Sequence, residues 1–381
     1  MAFVAAHNII SPLGTTSAAT FEAVLAGRSG VAACQDLLPD QAPVWASRLS
    51  PEWHDDQHLE QPGRYTKFEK MLLASITDAL RHTSVDAASP RTLFVFSSTK
   101  GNIGLLEGGQ PGAARVQRAS LPYSAQLVSA YFKNPATPVV LSNACISGVT
   151  ALLYAQRLLR SGAYDAAIVA GADTVSRFVV SGFQAFQALC AAPCKPYSED
   201  RTGINLGEAA ATLILMATAP ESTAGTGLVR VAGGAVTNDA NHISGPSRTG
   251  AELAHAISSA LSSAQVSPAQ VDFISGHGTA TIYNDEMEAK AFALAGLRGK
   301  PLHSVKGALG HTLGAAGLVE SALSIMALTQ GRRIPTAGYS QPMTAAALNV
   351  SAQPEAASSR WALKTASGFG GCNGALLFER I

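Results

Sequence analysis

Four short segments pair a nucleophile, a titratable ring or a glycine loop with small neighbours. Cys145 lies in Ser142-Asn143-Ala144-Cys145-Ile146-Ser147-Gly148, where a short apolar run gives way to a helix-like one. A cysteine at a helix start feels unpaired N–H groups and the positive end of the helix dipole, which favour the nucleophilic thiolate. The small residues 144, 147 and 148 leave room for a substrate, yet this segment alone fits a buried structural cysteine equally well. His277 lies in Ser275-Gly276-His277-Gly278-Thr279-Ala280-Thr281, directly after the apolar run VDFIS. That is the carboxyl end of a strand, where open α/β sheets place ligands. The hydroxyls of Thr279 and Thr281 suit a polar substrate arm; a loop histidine capping a turn is the alternative. Lys306 and His311 lie in Ser304-Val305-Lys306-Gly307-Ala308-Leu309-Gly310-His311, and Glu320 follows nine residues later. Desolvation at the head of an apolar helix would keep His311 neutral, able to donate a hydrogen bond to developing negative charge. Lys306 and Glu320 are charges within apolar runs, where burial demands pairing, unless they sit on a solvated helix face. Gly368-Phe369-Gly370-Gly371-Cys372-Asn373-Gly374 is a glycine loop entering the last strand, with a backbone N–H suited to an oxyanion hole. It fails as a nucleotide loop, since no helix and no Lys-Ser/Thr pair follow.

The elements that must position these residues alternate between short apolar runs and longer Ala-rich amphipathic ones, the pattern of an α/β protein. Strands are expected at 92–97, 138–142, 166–170, 211–216, 271–275 and 375–379, and helices at 16–26, 66–82, 146–161, 250–264, 285–295 and 315–330. The breaker-rich stretch 217–227 reads as a surface connection. PVVLSNACISGVTALLYAQRLL and PLHSVKGALGHTLGAAGLVESALSIMAL both run strand, turn, then an uncharged helix start. That faint echo suggests a duplicated body with two deeply buried helices.

Charged residues make up 14% of the 381 and apolar residues 47%, enough for a large core and a subunit interface. A net charge of +1 gives no global field toward nucleic acid or anionic lipid. Five scattered cysteines, Cys34, Cys145, Cys190, Cys194 and Cys372, fit free thiols in a reducing compartment. Cys190 and Cys194 lack the second pair of a zinc site, so no metal is expected. The N-terminus lacks the basic start and apolar core of a signal peptide, and no uncharged apolar stretch approaches the roughly 20 residues of a membrane span. A cytoplasmic protein is the expectation.

Taken together the segments resemble the β-ketoacyl-[acyl-carrier-protein] synthases of fatty-acid and polyketide assembly. NACISG, GHGTAT, SVKGALGHTLGAAG and GFGGCNG resemble that family's four active-site segments in order. Ile10-Ser11-Pro12-Leu13-Gly14, Leu25-Ala26-Gly27-Arg28-Ser29-Gly30, Lys195-Pro196-Tyr197, Asp200-Arg201-Thr202-Gly203 and Leu206-Gly207-Glu208-Ala209 look like its flanks. The resemblance implies a thiolase-like duplicated five-layer αβαβα fold, with residues 1–224 carrying the cysteine and 225–381 the two histidines. It implies that Cys145 takes an acyl group, and that His277 and His311 bind a malonyl thioester, assist loss of CO₂ and stabilise the enolate. Backbone N–H groups of Cys145 and Phe369 would form the oxyanion hole, with Phe369 as a gate. Lys306 and Glu320 would hold the His311 region. Thr279, Thr281 and Ser244 would bind the phosphopantetheine arm, with Phe183, Gly370 and Asn373 as further substrate residues. No cofactor is implied beyond the arm that the acyl carrier protein brings. A homodimer is implied, or a heterodimer with a related subunit.

Carrier docking would use Arg64, Lys67 and Lys70, or Arg115 with Arg118, each of which fits an ordinary solvated face as well. Ile146, Ala280 and Cys372 depart from the family's usual small or hydroxyl residues. The stretch from Gly104 to Asn143 is shorter than in fatty-acid elongation enzymes. These departures bear on acyl specificity and bring in aryl-polyene or other polyketide-like pathways. A silent chain-length or scaffold subunit is the alternative, as is a starter acyltransferase; the intact Cys145, His277 and His311 speak against the first, and the paired histidines against the second.

Overall fold

In the computed structural model, residues 1–38, 41–50, 53, 59, 61–220, 227–344 and 347–381 are described. The strands that carry the site are β1 (Phe3–Ile10), β2 (Thr92–Ser97), β3 (Val139–Leu141), β4 (Ala166–Asp173), β5 (Ala209–Met216), β6 (Val229–Asn238), β7 (Phe273–Ser275), β8 (Pro301–His303), β9 (Asn349–Val350), β10 (Trp361–Gly368) and β11 (Cys372–Arg380). They lie side by side in the order β9-β8-β7-β10-β11-β6-β1-β5-β4-β2-β3. The seam between β1 and β6 is a single pairing, Phe3 with Arg230. Outward from that seam the first half runs β1, β5, β4, β2, β3 and the second β6, β11, β10, β7, β8. Both halves use two antiparallel pairings followed by two parallel ones. The echo in the sequence is therefore a true internal duplication, with β9 an added edge.

Helices α1 (Ser17–Leu25), α2 (Lys67–Leu80), α3 (Ser147–Arg160), α4 (Arg177–Ala185), α5 (Ala251–Ala264), α6 (Ile282–Leu294) and α7 (Ala316–Gln330) complete the frame. Residues 316–328 of α7 are buried without interruption, because α7 and α3 lie between the two half-sheets. Leu152, Leu153, Leu318 and Leu323 share one core with Leu213 and Leu215 of β5 and Leu376 and Phe378 of β11. Outside the first sheet, Met71, Leu72 and Ile76 of α2 cover Phe94, Ile168 and Ile214. Outside the second, Ile257, Leu261 and Phe292 cover Ile274, Leu363 and Leu377. Helix, sheet, helix pair, sheet, helix gives the five-layer αβαβα architecture expected from the resemblance. The stretch Leu313–Gln330 has the length and apolarity of a membrane span, but 89% of it is buried inside the protein; it is the core helix of the middle layer.

The close approach of α3 and α7 depends on two glycines. A Cβ on Gly148 would meet the Leu318 backbone nitrogen at 2.7 Å, and one on Gly317 would meet the Val149 nitrogen at 2.5 Å. Neither backbone can yield without separating the helices. Gly317→Ala is expected to cost about 1–3 kcal/mol through overpacking, read as a lower urea midpoint at unchanged m-value.

The six expected strands and six expected helices are present. β4 and β11 are longer than expected, and α6 starts at Ile282 rather than 285. Strands β1, β6 and β10 and helix α4 went unpredicted, as did the helices Ala113–Ala119 and Leu121–Tyr131. Of the expected connection 217–227, residues 217–220 and 227 are described and carry neither helix nor strand, while the half boundary at 224/225 lies outside the described residues.

Candidate active site

Three turns after strands bring three side chains to one point. After β3 the chain makes a tight elbow in which Ala144 adopts φ 44°, a left-handed angle costly for a residue with a Cβ. The elbow is held by Ser147, whose Oγ donates to the Ala144 carbonyl at 2.6 Å and accepts the Asn143 N–H at 2.8 Å. Cys145 thus projects just ahead of α3. After β7, the Glu288 carboxylate of α6 receives the backbone N–H groups of His277 (2.7 Å) and Gly278 (2.6 Å). Asp285, one turn earlier, receives the Thr279 N–H at 3.0 Å. His311 follows the single turn Lys306–Leu309, and its backbone exchanges hydrogen bonds with Asn205 and Gly207. Buried Asp173 receives the Gly314, Thr99 and Lys100 N–H groups and so clamps the segment just past His311.

The ligating atoms of Cys145, His277 and His311 all lie within 4.8 Å of one another, and all three residues are buried. The imidazoles stand edge to face, ring centroids 5.3 Å apart at 86°. Lys306 Nζ lies 3.3 Å from His277 Nδ1. An ammonium can only donate, so Nδ1 accepts and the ring proton sits on Nε2. Both ring nitrogens of His311 are buried without a hydrogen-bond partner among the described residues.

Electrostatics correct one expectation and support another. Burial pushes the Cys145 thiol up to about 12, reinforced by Cys372 and only partly opposed by Lys306 and the Phe369 N–H. The cysteine therefore rests as a neutral thiol, not the thiolate that its place before a helix suggests. Burial followed by Lys306 lowers both His277 and His311 well below the usual histidine range, so both rings are neutral, as expected for His311. A soft-metal site would need a thiolate and would place its ion beside the buried Lys306 ammonium, so the trio fits a nucleophile with two donors better.

Lys306 and Glu320 form the expected buried pair at 2.6 Å. Lys306 donates to the carbonyl of His277 as well as facing its ring; the histidine it holds directly is His277 rather than His311. The sequence reading missed Lys364 of β10, whose Nζ lies 2.6 Å from the other Glu320 oxygen. It also missed Glu288, Asp285 and Asp173, which read as ordinary helix or strand charges until the fold turns them inward.

A cavity of about 460 Å³ opens onto Cys145, His277, His311 and Phe369. Phe369 packs against Phe183 (centroids 5.5 Å) and against Phe186 (5.1 Å), a neighbour the sequence reading did not single out. Thr279, Thr281 and Ser244 also line the cavity, with the two threonine oxygens 2.8 Å apart. Gly370 and Asn373 do not line it. The Gly370 N–H is spent on the Ile243 carbonyl, and buried Asn373 bonds Ser367 and the Gly371 carbonyl, so both shape the loop instead.

The basic residues proposed for docking divide. Lys67 turns inward to buried Glu208 at 2.7 Å and is a structural ion-pair partner, not a landing residue. Arg118 likewise pairs with buried Glu69, and Arg115 donates to the Leu105 and Glu107 carbonyls. Arg64 is exposed and Lys70 half-buried.

Neutral buried histidines set an acid sensitivity. His277, His303 (held down to about 3) and His311 have folded values below the usual 6.5. Their stabilisation is complete above about pH 6.5 and lost as pH falls, about 1.4 kcal/mol per pH unit for each. Asp285, raised by burial to about 7, and Asp173, also raised by burial, have the opposite sign and offset part of this loss. From pH 6.5 to 5 stability should fall, because the depressed histidines, with His7 (held down to about 4) as a fourth, outnumber the two raised carboxylates. Urea midpoints across that range measure it; a flat or rising midpoint contradicts it.

Comparison with known proteins gives a consistent family. Residues 4–220 match "Beta-ketoacyl synthase, N-terminal domain" and residues 228–340 match "Beta-ketoacyl synthase, C-terminal domain". The chain is 27% identical over 414 aligned positions to 3-oxoacyl-[acyl-carrier-protein] synthase 2 of Vibrio cholerae, covering 99% of this chain and 98% of that protein. It is 34% identical over 254 residues to the protein of the same name from Mycobacterium leprae; that match covers 64% of this chain and spans 60% of the relative's length. Among solved structures, a ketosynthase in complex with its chain length factor from Xenorhabdus doucetiae superposes with TM-score 0.87 at 26% identity, covering 100% of this chain and 98% of that one. The ishigamide ketosynthase/chain length factor superposes with TM-score 0.88 at 24% identity, covering 100% and 99%, a likeness of fold.

Proposed function

The chain belongs to the β-ketoacyl synthase family, and from that premise we propose that it is an active 3-oxoacyl-[acyl-carrier-protein] synthase. The observation that carries this reading is the convergence of Cys145, His277 and His311 within 4.8 Å at the floor of an open cavity. In the first half-reaction the Cys145 sulfur attacks the carbonyl of an acyl-carrier thioester. Its proton passes by way of a neutral imidazole to the departing carrier thiol, and the acyl group moves to Cys145. In the second, malonyl-carrier loses CO₂, and the electron pair spreads onto the thioester oxygen. His277, with its proton on Nε2, and His311 donate to that oxygen without being acidic enough to quench the carbanion. The carbanion attacks acyl-Cys145, the N–H groups of Cys145 and Phe369 hold the oxyanion, and collapse yields the 3-oxoacyl-carrier. The released Cys145 thiolate takes one proton from solvent, which balances the cycle.

We further propose that the partner is an acyl carrier protein reaching in along Thr279, Thr281 and Ser244. The protein would work in the cytoplasm as a homodimer or with a related ketosynthase-type subunit, in fatty-acid or polyketide/aryl-polyene synthesis. The complexed state of the solved Xenorhabdus relative supports the second arrangement. Intact-protein mass spectrometry with a panel of acyl-carrier thioesters tests the reading. An acyl adduct on Cys145, discharged by malonyl-carrier to a product longer by two carbons, is expected. Absence of any adduct, alone or with a candidate partner subunit, overturns it in favour of a silent subunit.

A further inference from the structure

We propose that Lys364 is a positioning residue of the condensing site: a second fixed cation that shares the Glu320 carboxylate with Lys306 and holds positive potential against the His277–His311 pair. This rests on the condensing reading above and deepens it. Lys364 is wholly buried on β10. Its Nζ donates to the carbonyls of Ser275 (3.2 Å) and Thr365, tying β10 to the end of β7, two residues before His277. It lies 2.6 Å from Glu320 Oε2, while Lys306 lies 2.6 Å from Glu320 Oε1. Oε2 receives no directed hydrogen bond, so the Lys364 contact is one of charge.

Two lysines on one carboxylate leave one positive charge among fully buried groups, where charges are screened far less than at the surface. The groups facing the rings come from several elements. Lys306, at the turn before His311, and Lys364, on β10, bear on both imidazoles, and His311, edge to face with His277, bears on His277. Cys145 faces both as a neutral thiol. Glu320 of α7 is taken up by the lysines. Glu288 of α6 receives the backbone N–H groups of residues 277 and 278 and the Tyr197 and Thr365 hydroxyls; its charge bears on Lys364 and not on either ring. Asp285 receives the backbone N–H groups of Tyr197 and Thr279. The unbalanced charge beside the rings is therefore cationic. It opposes a third cation, keeping both imidazoles neutral donors, and it favours the negative charge that develops on the thioester oxygen.

Lys364→Gln, whose amide can still donate to the strand carbonyls, removes the charge and keeps the hydrogen bonds. The expected result is an upward move of the His277 and His311 titrations, followed by NMR of ring-labelled histidine. The acid limb of malonyl-carrier decarboxylation moves up with them, and kcat falls about tenfold with KM little changed. Lys364→Arg, which keeps the charge, should hold the acid limb at its wild-type position. If Lys364→Gln does not fold, Lys364→Met is read in the same way. Unchanged histidine titrations in a folded neutral variant overturn the inference. A wild type that decarboxylates nothing overturns the condensing reading instead, and the NMR titration still decides the role of Lys364.

Discussion

Cys145→Ala is expected to lose acyl loading and elongation completely, by at least about 10⁴-fold, while decarboxylation of malonyl-carrier remains measurable. The two half-reactions use different atoms. Acyl transfer needs a sulfur that serves first as nucleophile and later as leaving group, and none of the other cysteines faces the cavity. Decarboxylation needs only donors at the thioester oxygen, and His277 and His311 owe their placement to Glu288, Lys306 and the Asn205–Gly207 backbone rather than to Cys145. His311→Ala should give the converse: Cys145 still acylates, while decarboxylation falls about 10²- to 10³-fold with the loss of one donor. Adduct mass and CO₂ release, measured on each variant, separate the two. Equal loss of both activities in both variants would mean that the three residues act as one unit, contrary to this division. A second expectation concerns alkylation. Because the resting group is a thiol held up to about 12, its reaction with iodoacetamide should still be rising with pH at pH 9, where a thiolate of low pKa would long have reached its plateau.

The duplicated fold was legible where strands are apolar runs and obscure where pairing buries polar or small residues. VDFIS and ATLILM announce themselves. β1 carries His7 and Asn8, and Asn8 is buried because it bonds the Thr15 carbonyl and the Ser17 N–H; β6 is interrupted by glycines, and β10 contains the ion-paired Lys364. The cluster of Cys145, His277 and His311 was legible because each residue follows a strand within a short turn of small residues, a local signal. Its supports were not. Glu288 and Lys364 acquire meaning only when β7, β10 and α6 are brought together, and contacts across 89 residues of chain, such as Lys364 with Ser275, leave no periodicity to read. The protonation state of Cys145 was misread for a related reason. The sequence shows the helix that follows, but not the depth of burial, and desolvation outweighs a dipole whose effect is typically below about 1 kcal/mol.

Glu320→Ala should destabilise the protein by more than any single ion pair at its surface. Both lysines that Glu320 holds are fully buried, and each has one oxygen of this carboxylate at 2.6 Å. Exposed pairs are worth about 0–1 kcal/mol, whereas removing one partner of a buried pair costs about 3–5 kcal/mol because the other charge stays behind. Here two charges stay behind in a domain whose whole margin is of the order of 5–15 kcal/mol. The fold can relieve them by releasing a proton, and for Lys364, already lowered by burial and held up by Glu320, losing that carboxylate takes the folded value further below the unfolded one, about 10.4. For such depressed lysines the unfolded chain binds more protons than the folded one, so stability rises with pH until the unfolded value is passed. Relative to wild type the defect should therefore shrink between pH 7 and pH 9. Glu320→Gln preserves the volume and removes the charge, and should be nearly as damaging, which separates electrostatics from cavity formation. Urea midpoints of both variants at the two pH values measure this; a Gln variant within about 1 kcal/mol of wild type would mean that packing alone holds the middle layer together and that the lysines are satisfied by the carbonyls around them.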